Sequence, residues 1–253
     1  MISSRDLKRY HRKLPYSYTF GPYPTFELLQ CRPEAVEMVL VHSTLSREIR
    51  EKLEDYCRLH RIQLMENDRL VGKLRDKESC LVIGVFGKYS DTLVPQADHV
   101  VLVNPSDSGN LGTIIRTCTG FGIHDLACIE PAVDSFHPKT VRASMGSLFH
   151  LHCVTFPSFA EYQKIYGAGR RMYPFMLKGA VSLEEADPGE ERFSLIFGNE
   201  SSGLPDDFLE VGQSVVIRHS KEIDSLNLSL AAGIGIYEFT KKARSRQAGP
   251  DVL

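Results

Sequence analysis

The stretch HVVLVNPSDSGNLGTIIRTCTGFGIHDLACIE (residues 99–130) runs from an unbroken apolar segment through a glycine-rich polar turn into helical periodicity, then into a second apolar segment. HVVLVN reads as a strand, GTIIRTCTGF as a helix ending at glycines, and DLACIE as the next strand. Strands that are apolar at every position, rather than at alternate ones, are covered on both faces, as in a parallel sheet between helices. The alternation continues towards the C-terminus. PKTVRASMGSLF, SFAEYQKIY and the long, largely apolar SLNLSLAAGIGIYEFTKKAR read as helices, and LHCVTF, FSLIFGN and SVVIRH as strands. Towards the N-terminus, VEMVLVHS, IQLMEN and CLVIGVF read as strands, with LSREIREKLEDYCRLHR and DRLVGKL as helices between them. That smaller α/β unit ends near Gly87, and KYSDTLVPQAD reads as a connector. The expected division is a small α/β domain with a basic N-terminal extension and connector over residues 1–96, and a parallel-sheet domain over 97–253.

The 253 residues are 42% hydrophobic, enough to bury a core without staples or metals. No apolar run matches a bilayer, and MISSRDLKRYHRK lacks the apolar centre of a signal peptide, so the expected location is cytoplasmic, with no membrane partner. The six cysteines are scattered without a Cys-x-x-Cys pair and read as reduced core thiols; no metal is expected. A net charge of −2 argues mildly against a nucleic-acid partner, but local charge matters more than the sum. Lys8, Arg9, Arg12 and Lys13 cluster near one end, and Lys241, Lys242, Arg244 and Arg246 near the other. Each cluster is either a phosphate contact or a solvated terminus.

Parallel α/β sheets bind ligands beyond the carboxyl ends of their strands. Three such ends are rich in glycine and polar residues. In NPSDSGNLGTIIRT, Asn110 is placed to cap the helix that carries Arg116; alternatively this is a plain capped turn with Arg116 on a solvated face. In IFGNESSGLPDD, Gly198 and Gly203 bracket a polar loop containing Asn199 and Glu200, which is either a well-made turn or a nucleoside cradle. In VVIRHSKEIDSLNLSLAAG, Ser225 reads as a helix N-cap, and Asn227 in the first turn has no explanation from propensity. Ala231, Ala232, Gly233 and Gly235 let another backbone come close, if only for packing. GFGIHD (120–125) lacks the third glycine of a dinucleotide fingerprint and precedes a strand, which ranks an oxidoreductase last. His150 and His152 alternate along an expected strand, so one reads as core and the other as surface.

Taken in order, the three loops resemble the motifs of the SpoU (TrmH-like) family of knotted RNA methyltransferases. Asn110, Gly112 and Arg116 match N-x-G-x-x-x-R. Gly198, Asn199, Glu200, Gly203 and Leu204 match G-N-E-x-x-G-L. Ser225, Leu226, Asn227, Ser229 and Ala231 match S-L-N-x-S-x-A. RASMGSLFHL (142–151) is also similar to a family stretch, and residues from about Phe20 to Phe86 resemble its small substrate-binding domain. Two departures stand out: Arg218 occupies a position where many members have proline, and Ser201 and Ser202 stand where Gly or Glu is frequent.

The resemblance implies a C-terminal SPOUT-type trefoil-knotted domain and S-adenosyl-L-methionine as cofactor. It further implies a homodimer and transfer of a methyl group to a ribose 2′-hydroxyl of tRNA or rRNA. By the same resemblance, Gly198, Asn199, Ile217, Leu226 and Asn227 hold the cofactor, and Arg116, Asn110, Glu200, Ser225 and Asn227 serve the reaction, Arg116 as a clamp. The alternatives are a catalytically inactive RNA-binding or ribosome-assembly protein of the same fold, and a SPOUT enzyme that methylates a base nitrogen.

Overall fold

The computed structural model describes residues 2–178 and 181–247, the last four through their backbone alone. The side chains of Arg244 and Arg246 therefore lie outside the described residues. The chain forms two compact units. One comprises the residues up to Ser90 together with Asp134–His150; the other comprises Asp91–Val133 and the chain from Leu151 onward.

The first unit holds β1 (Tyr16–Phe20), α1 (Pro22–Cys31), β2 (Val36–Val41), α2 (Arg47–His60), β3 (Leu64–Glu66), α3 (Asp68–Leu74) and β4 (Val82–Gly87). Its sheet runs β1-β4-β2-β3. Strand β4 is antiparallel to both β1 and β2, and only β2 and β3 are parallel. Strand β1 and helix α1 escape the sequence reading because PYPT looks like a turn. Pro22 instead opens α1, where a missing N–H costs nothing. The basic N-terminal segment is also tied down. Leu7 is fully buried, the Tyr18 hydroxyl donates to the Lys8 carbonyl at 2.5 Å, and Arg9 Nε donates to the Lys73 carbonyl.

The second unit opens with β5 (His99–Val103), α4 (Ser108–Phe121) and β6 (Asp125–Ile129). The chain then contributes α5 (Pro138–Ala143) and a 3-10 turn (Ser147–His150) to the first unit. It resumes with β7 (His152–Phe156), α6 (Phe159–Tyr166), β8 (Arg170–Pro174), β9 (Val181–Ser182), β10 (Arg192–Phe197), β11 (Val215–Val216) and α7 (Leu228–Gln247). The five-stranded sheet β7-β6-β5-β10-β8 is parallel throughout, and every residue of β5 and β6 is buried, as their unbroken apolar pattern requires. Strand β8 was not read from the sequence, and Pro174 explains why. Proline inside a strand is tolerated at a sheet edge, and β8 is an edge strand.

The two units differ from the division expected at residue 96/97: residues 91–96 fall in the second unit, and residues 134–150 fall in the first. They are held within the first unit by Phe149, edge-on to Phe86 at 5.2 Å, by the Lys88–Asp134 ion pair at 2.9 Å, and by Ser17 Oγ, which donates to the Phe136 carbonyl. His150 and His152 are accordingly in different units, one in the 3-10 turn and one on β7.

At the start of the parallel strands lies a sealed polar network. His99, Ser194 and Arg170 are all buried, and Tyr162 is fully so. One proton arrangement satisfies it. Arg170 donates to the carbonyls of Phe193, Pro95 and Ala97 and to Ser194 Oγ; Ser194 donates to Tyr162, and Tyr162 to His99 Nδ1. His99 Nε2–H then donates to the Val94 carbonyl at 2.9 Å. The imidazole is neutral in this arrangement, and burial followed by the Arg170 charge lowers its pKa to about 4.

Candidate active site

Beyond the carboxyl ends of β8 and β10 the second unit encloses a cavity of about 480 Å³. Phe175 and Phe197, stacked at 4.4 Å, form apolar wall together with Leu204, Val215 and Leu228. Helix α7 approaches this pair closely: a Cβ on Gly235 would lie 2.7 Å from the Phe175 ring, which accounts for that glycine as packing. At the rim, Lys178 and Asp206 form an exposed ion pair at 2.8 Å. Gly198, Asn199, Glu200, Ile217, Ser225 and Leu226 all line the cavity, so the second and third loops meet there as the resemblance implies. The wall from Phe175 to Lys178 was missed with β8; its only sequence signal is the apolar run MYPFML ahead of the last strands.

The loop after β10 is built to hold its shape. A Cβ on Gly198 would sit 2.1 Å from the Gly203 carbonyl carbon, so only glycine lets the loop close on itself. Asn199 Oδ1 accepts from the N–H groups of Ser201 and Ser202, and its Nδ2 donates to the Asn104 carbonyl beyond β5 at 2.7 Å. The Asn199 amide is thus occupied in fixing the loop.

Glu200 joins the first loop to the second. Its carboxylate accepts from the Ser106 N–H and Oγ, the Asp107 N–H, and the side-chain amides of Asn110 and Asn199. These groups surround the N-terminus of α4, where negative charge is favoured. Partial burial by itself would raise the Glu200 pKa; the hydrogen bonds from Ser106, Asp107 and its own backbone outweigh it and hold the carboxyl below its ordinary range. Glu200 is therefore an ionised brace whose lone pairs are already in use. The cap of α4 is Asp107, whose carboxylate accepts from the Asn110 N–H at 2.8 Å, and not Asn110. Asn110 is left free to bridge: its Nδ2 donates to Glu200 at 3.3 Å and its Oδ1 accepts from Asn227 Nδ2 at 3.2 Å.

Asn227, in turn, caps α7. Its Oδ1 accepts from the N–H groups of Ser229 and Leu230, a role the sequence reading gave to Ser225. The helix starts at Leu228, which makes Asn227 the N-cap and leaves Ser225 two residues ahead of it. Ser225 instead faces the cavity, with no hydrogen bond to any described residue. One chain of hydrogen bonds, Glu200–Asn110–Asn227, thus joins all three loops.

Arg116 lies two turns along α4 from this chain. It is exposed and has no hydrogen bond or ion pair among the described residues. Lys242 differs: its ammonium donates to the carbonyls of Leu183, Glu184 and Ala186, each at 2.9 Å, so it is a structural clasp. Next to the exposed Arg218, the Ile217 carbonyl accepts from His219 Nδ1 at 2.9 Å.

The 23S rRNA (guanosine(2553)-2'-O)-methyltransferase RlmP of Bacillus subtilis (strain 168) is 33% identical over 145 residues, 56% of this chain and 57% of that protein. The chain thus spans little more than half the length of that relative. The 23S rRNA (adenosine(1067)-2'-O)-methyltransferase of Streptomyces azureus is 26% identical over 212 residues, 80% of this chain and 79% of the relative. Among solved structures, the SpoU methyltransferase AviRb from Streptomyces viridochromogenes, in complex with the cofactor AdoMet, superposes with a TM-score of 0.76 at 25% identity, covering 93% of this chain and 92% of that one. The SpoU rRNA Methylase family model matches residues 98–237, a span that takes in all three loops, and the chain belongs to that family.

Proposed function

We propose that the chain transfers a methyl group from S-adenosyl-L-methionine to a ribose 2′-hydroxyl of RNA, either tRNA or rRNA. The observation that carries this reading is the Glu200–Asn110–Asn227 chain, which ties the cavity loops to the helix that presents Arg116, exposed and without a partner among the described residues. The cavity fits a nucleoside cofactor, because apolar residues form its walls and Gly198, Ile217 and Leu226 lie along it. Bound there, the cofactor supplies an electrophilic sulfonium methyl. The chain's own residues do the rest. Arg116, with its forked donors uncommitted, clamps an RNA phosphate and stabilises the alkoxide character that develops on the attacking oxygen. Asn110 and Asn227 orient the ribose, and Glu200 keeps the loops in register, with Ser225 free to donate to either ligand. Gly198, Ile217 and Leu226 would hold the cofactor so that its methyl faces the ribose oxygen presented by Asn110 and Asn227. Positioning supplies most of the acceleration.

The same reading includes a trefoil knot in the second unit, RNA recognition by the first unit, and a homodimer. The dimer is supported by Leu230, Ile234 and Tyr237, which are 60%, 42% and 49% exposed at helical spacing on α7. No described helix is long and apolar enough to cross a membrane. To test the reading, labelled cofactor is incubated with separate pools of unmodified tRNA and rRNA, and the product is digested and mapped by mass spectrometry. Label on a ribose in one pool is the expected result. Label on a base, or cofactor binding without transfer to either pool, would sink it in favour of the two alternatives.

A further inference from the structure

Three potential ligand atoms of different kinds converge in the first unit. Glu27 and Cys31 stand four residues apart on α1 and so share one face of the helix. His150 closes the 3-10 turn at the end of the 134–150 segment. Cys31 Sγ is 3.4 Å from His150 Nε2, and His150 Nε2 is 2.5 Å from Glu27 Oε2. All three ligand atoms lie within 4.8 Å of one another.

The arrangement is held from two sides. Gly146 has φ +84°, and a Cβ there would sit 2.7 Å from Glu27 Cβ, so only glycine lets the turn before His150 close on the Glu27 stem. On the other side, Arg32, next to Cys31, donates from Nε to the carbonyl of Phe149, next to His150, at 3.3 Å. Both ligand-bearing segments are thereby fixed against each other before any ion arrives.

We propose that Glu27, Cys31 and His150 bind a zinc-type divalent cation. Thiolate, imidazole and carboxylate are the donors zinc accepts, in a tetrahedron whose ligand atoms stand roughly 3.3–3.8 Å apart. The Cys31–His150 separation of 3.4 Å already meets that spacing. Glu27 has to draw back from His150 by roughly an ångström, within the reach of its rotamers. Glu27 and Cys31 are half-buried and His150 is exposed, which leaves a fourth position open to water. A sulfur donor turns the site away from magnesium and calcium, which take oxygen ligands. Burial, and then the charge of Glu27, raise the pKa of the Cys31 thiol, so binding of the cation releases a proton. The bound ion staples residues 119 positions apart in the chain.

The test uses the full chain, stripped with a chelator and titrated with Co²⁺. The expected result is one equivalent bound, with tetrahedral visible bands and a thiolate charge-transfer band that Zn²⁺ abolishes and that Cys31→Ser removes. An independent readout needs no altered cysteine. Zn²⁺ should slow alkylation of Cys31, measured by peptide mass spectrometry, in the natural sequence but not in His150→Gln. Absence of the charge-transfer band, its survival in Cys31→Ser, or unchanged alkylation with Zn²⁺ present overturns the proposal. None of these readouts depends on methyl transfer.

Discussion

Two polar networks sit at opposite ends of the same parallel strands, and they are built on opposite principles. At the strand starts, the network of His99, Tyr162, Ser194 and Arg170 is sealed, and every donor has an acceptor. Beyond the strand ends, Glu200, Asn110 and Asn227 are also linked, but the linkage stays partly exposed and adjoins Arg116 and Ser225, which have no partners among the described residues. A buried network with nothing left over can only stabilise, because each unsatisfied group would be costly. A network with spare valence at its edge can bind. The difference sets the strand-end network apart as the one that adjoins a cavity with room for a ligand.

If that contrast is right, substitutions at the two ends should separate activity from stability. The largest effect is expected from Arg116→Ala, which should lower methyl transfer by about 10²–10³-fold with an unchanged melting temperature. Arg116→Lys should recover little of this, since lysine lacks the fork; near-normal turnover of the lysine variant, measured with labelled cofactor, would remove the clamp from the mechanism. Next, Arg170→Met should cost about 3 kcal/mol in urea unfolding by orphaning several buried carbonyls, and should leave turnover per folded molecule intact.

The two networks should also respond to acid in different windows. The folded-state pKa of His99 is depressed to about 4, so the unfolded chain takes up the proton first as pH falls. Its contribution is fully present above about 6.5 and is lost towards 4, which amounts to about 2 kcal/mol between pH 7 and pH 5. Urea unfolding of His99→Gln across that range should show a flatter pH profile; an unchanged profile would mean that His99 is not the group titrating. Glu200 is also depressed, from 4.5, so its contribution persists above that value and is lost only as pH falls through its lower folded pKa. The smallest effect is expected from Glu200→Gln near neutral pH. An amide facing the N–H groups of Ser106 and Asp107 should cost about 1–2 kcal/mol and, by loosening the loops, about tenfold in turnover. Loss of stability with full turnover would detach the brace from the reaction.

The sequence by itself determined the parallel sheet of the second unit, since strands apolar at every position have to be covered on both faces, and β5 and β6 are buried along their whole length. It also determined the three loops and their residues, because the glycines of such loops leave a local signature. It did not disclose β1, α1 or β8, where proline at a helix start or a sheet edge imitates a turn. Only the tertiary structure decided who caps what. A cap depends on where a helix begins to within one residue, and packing sets that, so Asp107 and Asn227 took the roles read for Asn110 and Ser225. Only the tertiary structure, too, moved residues 134–150 into the first unit and brought His150 beside Glu27 and Cys31. Spacing along a chain reports neighbours within a helix or a loop; it carries no trace of a meeting between residues 119 positions apart, which exists only once both segments have packed.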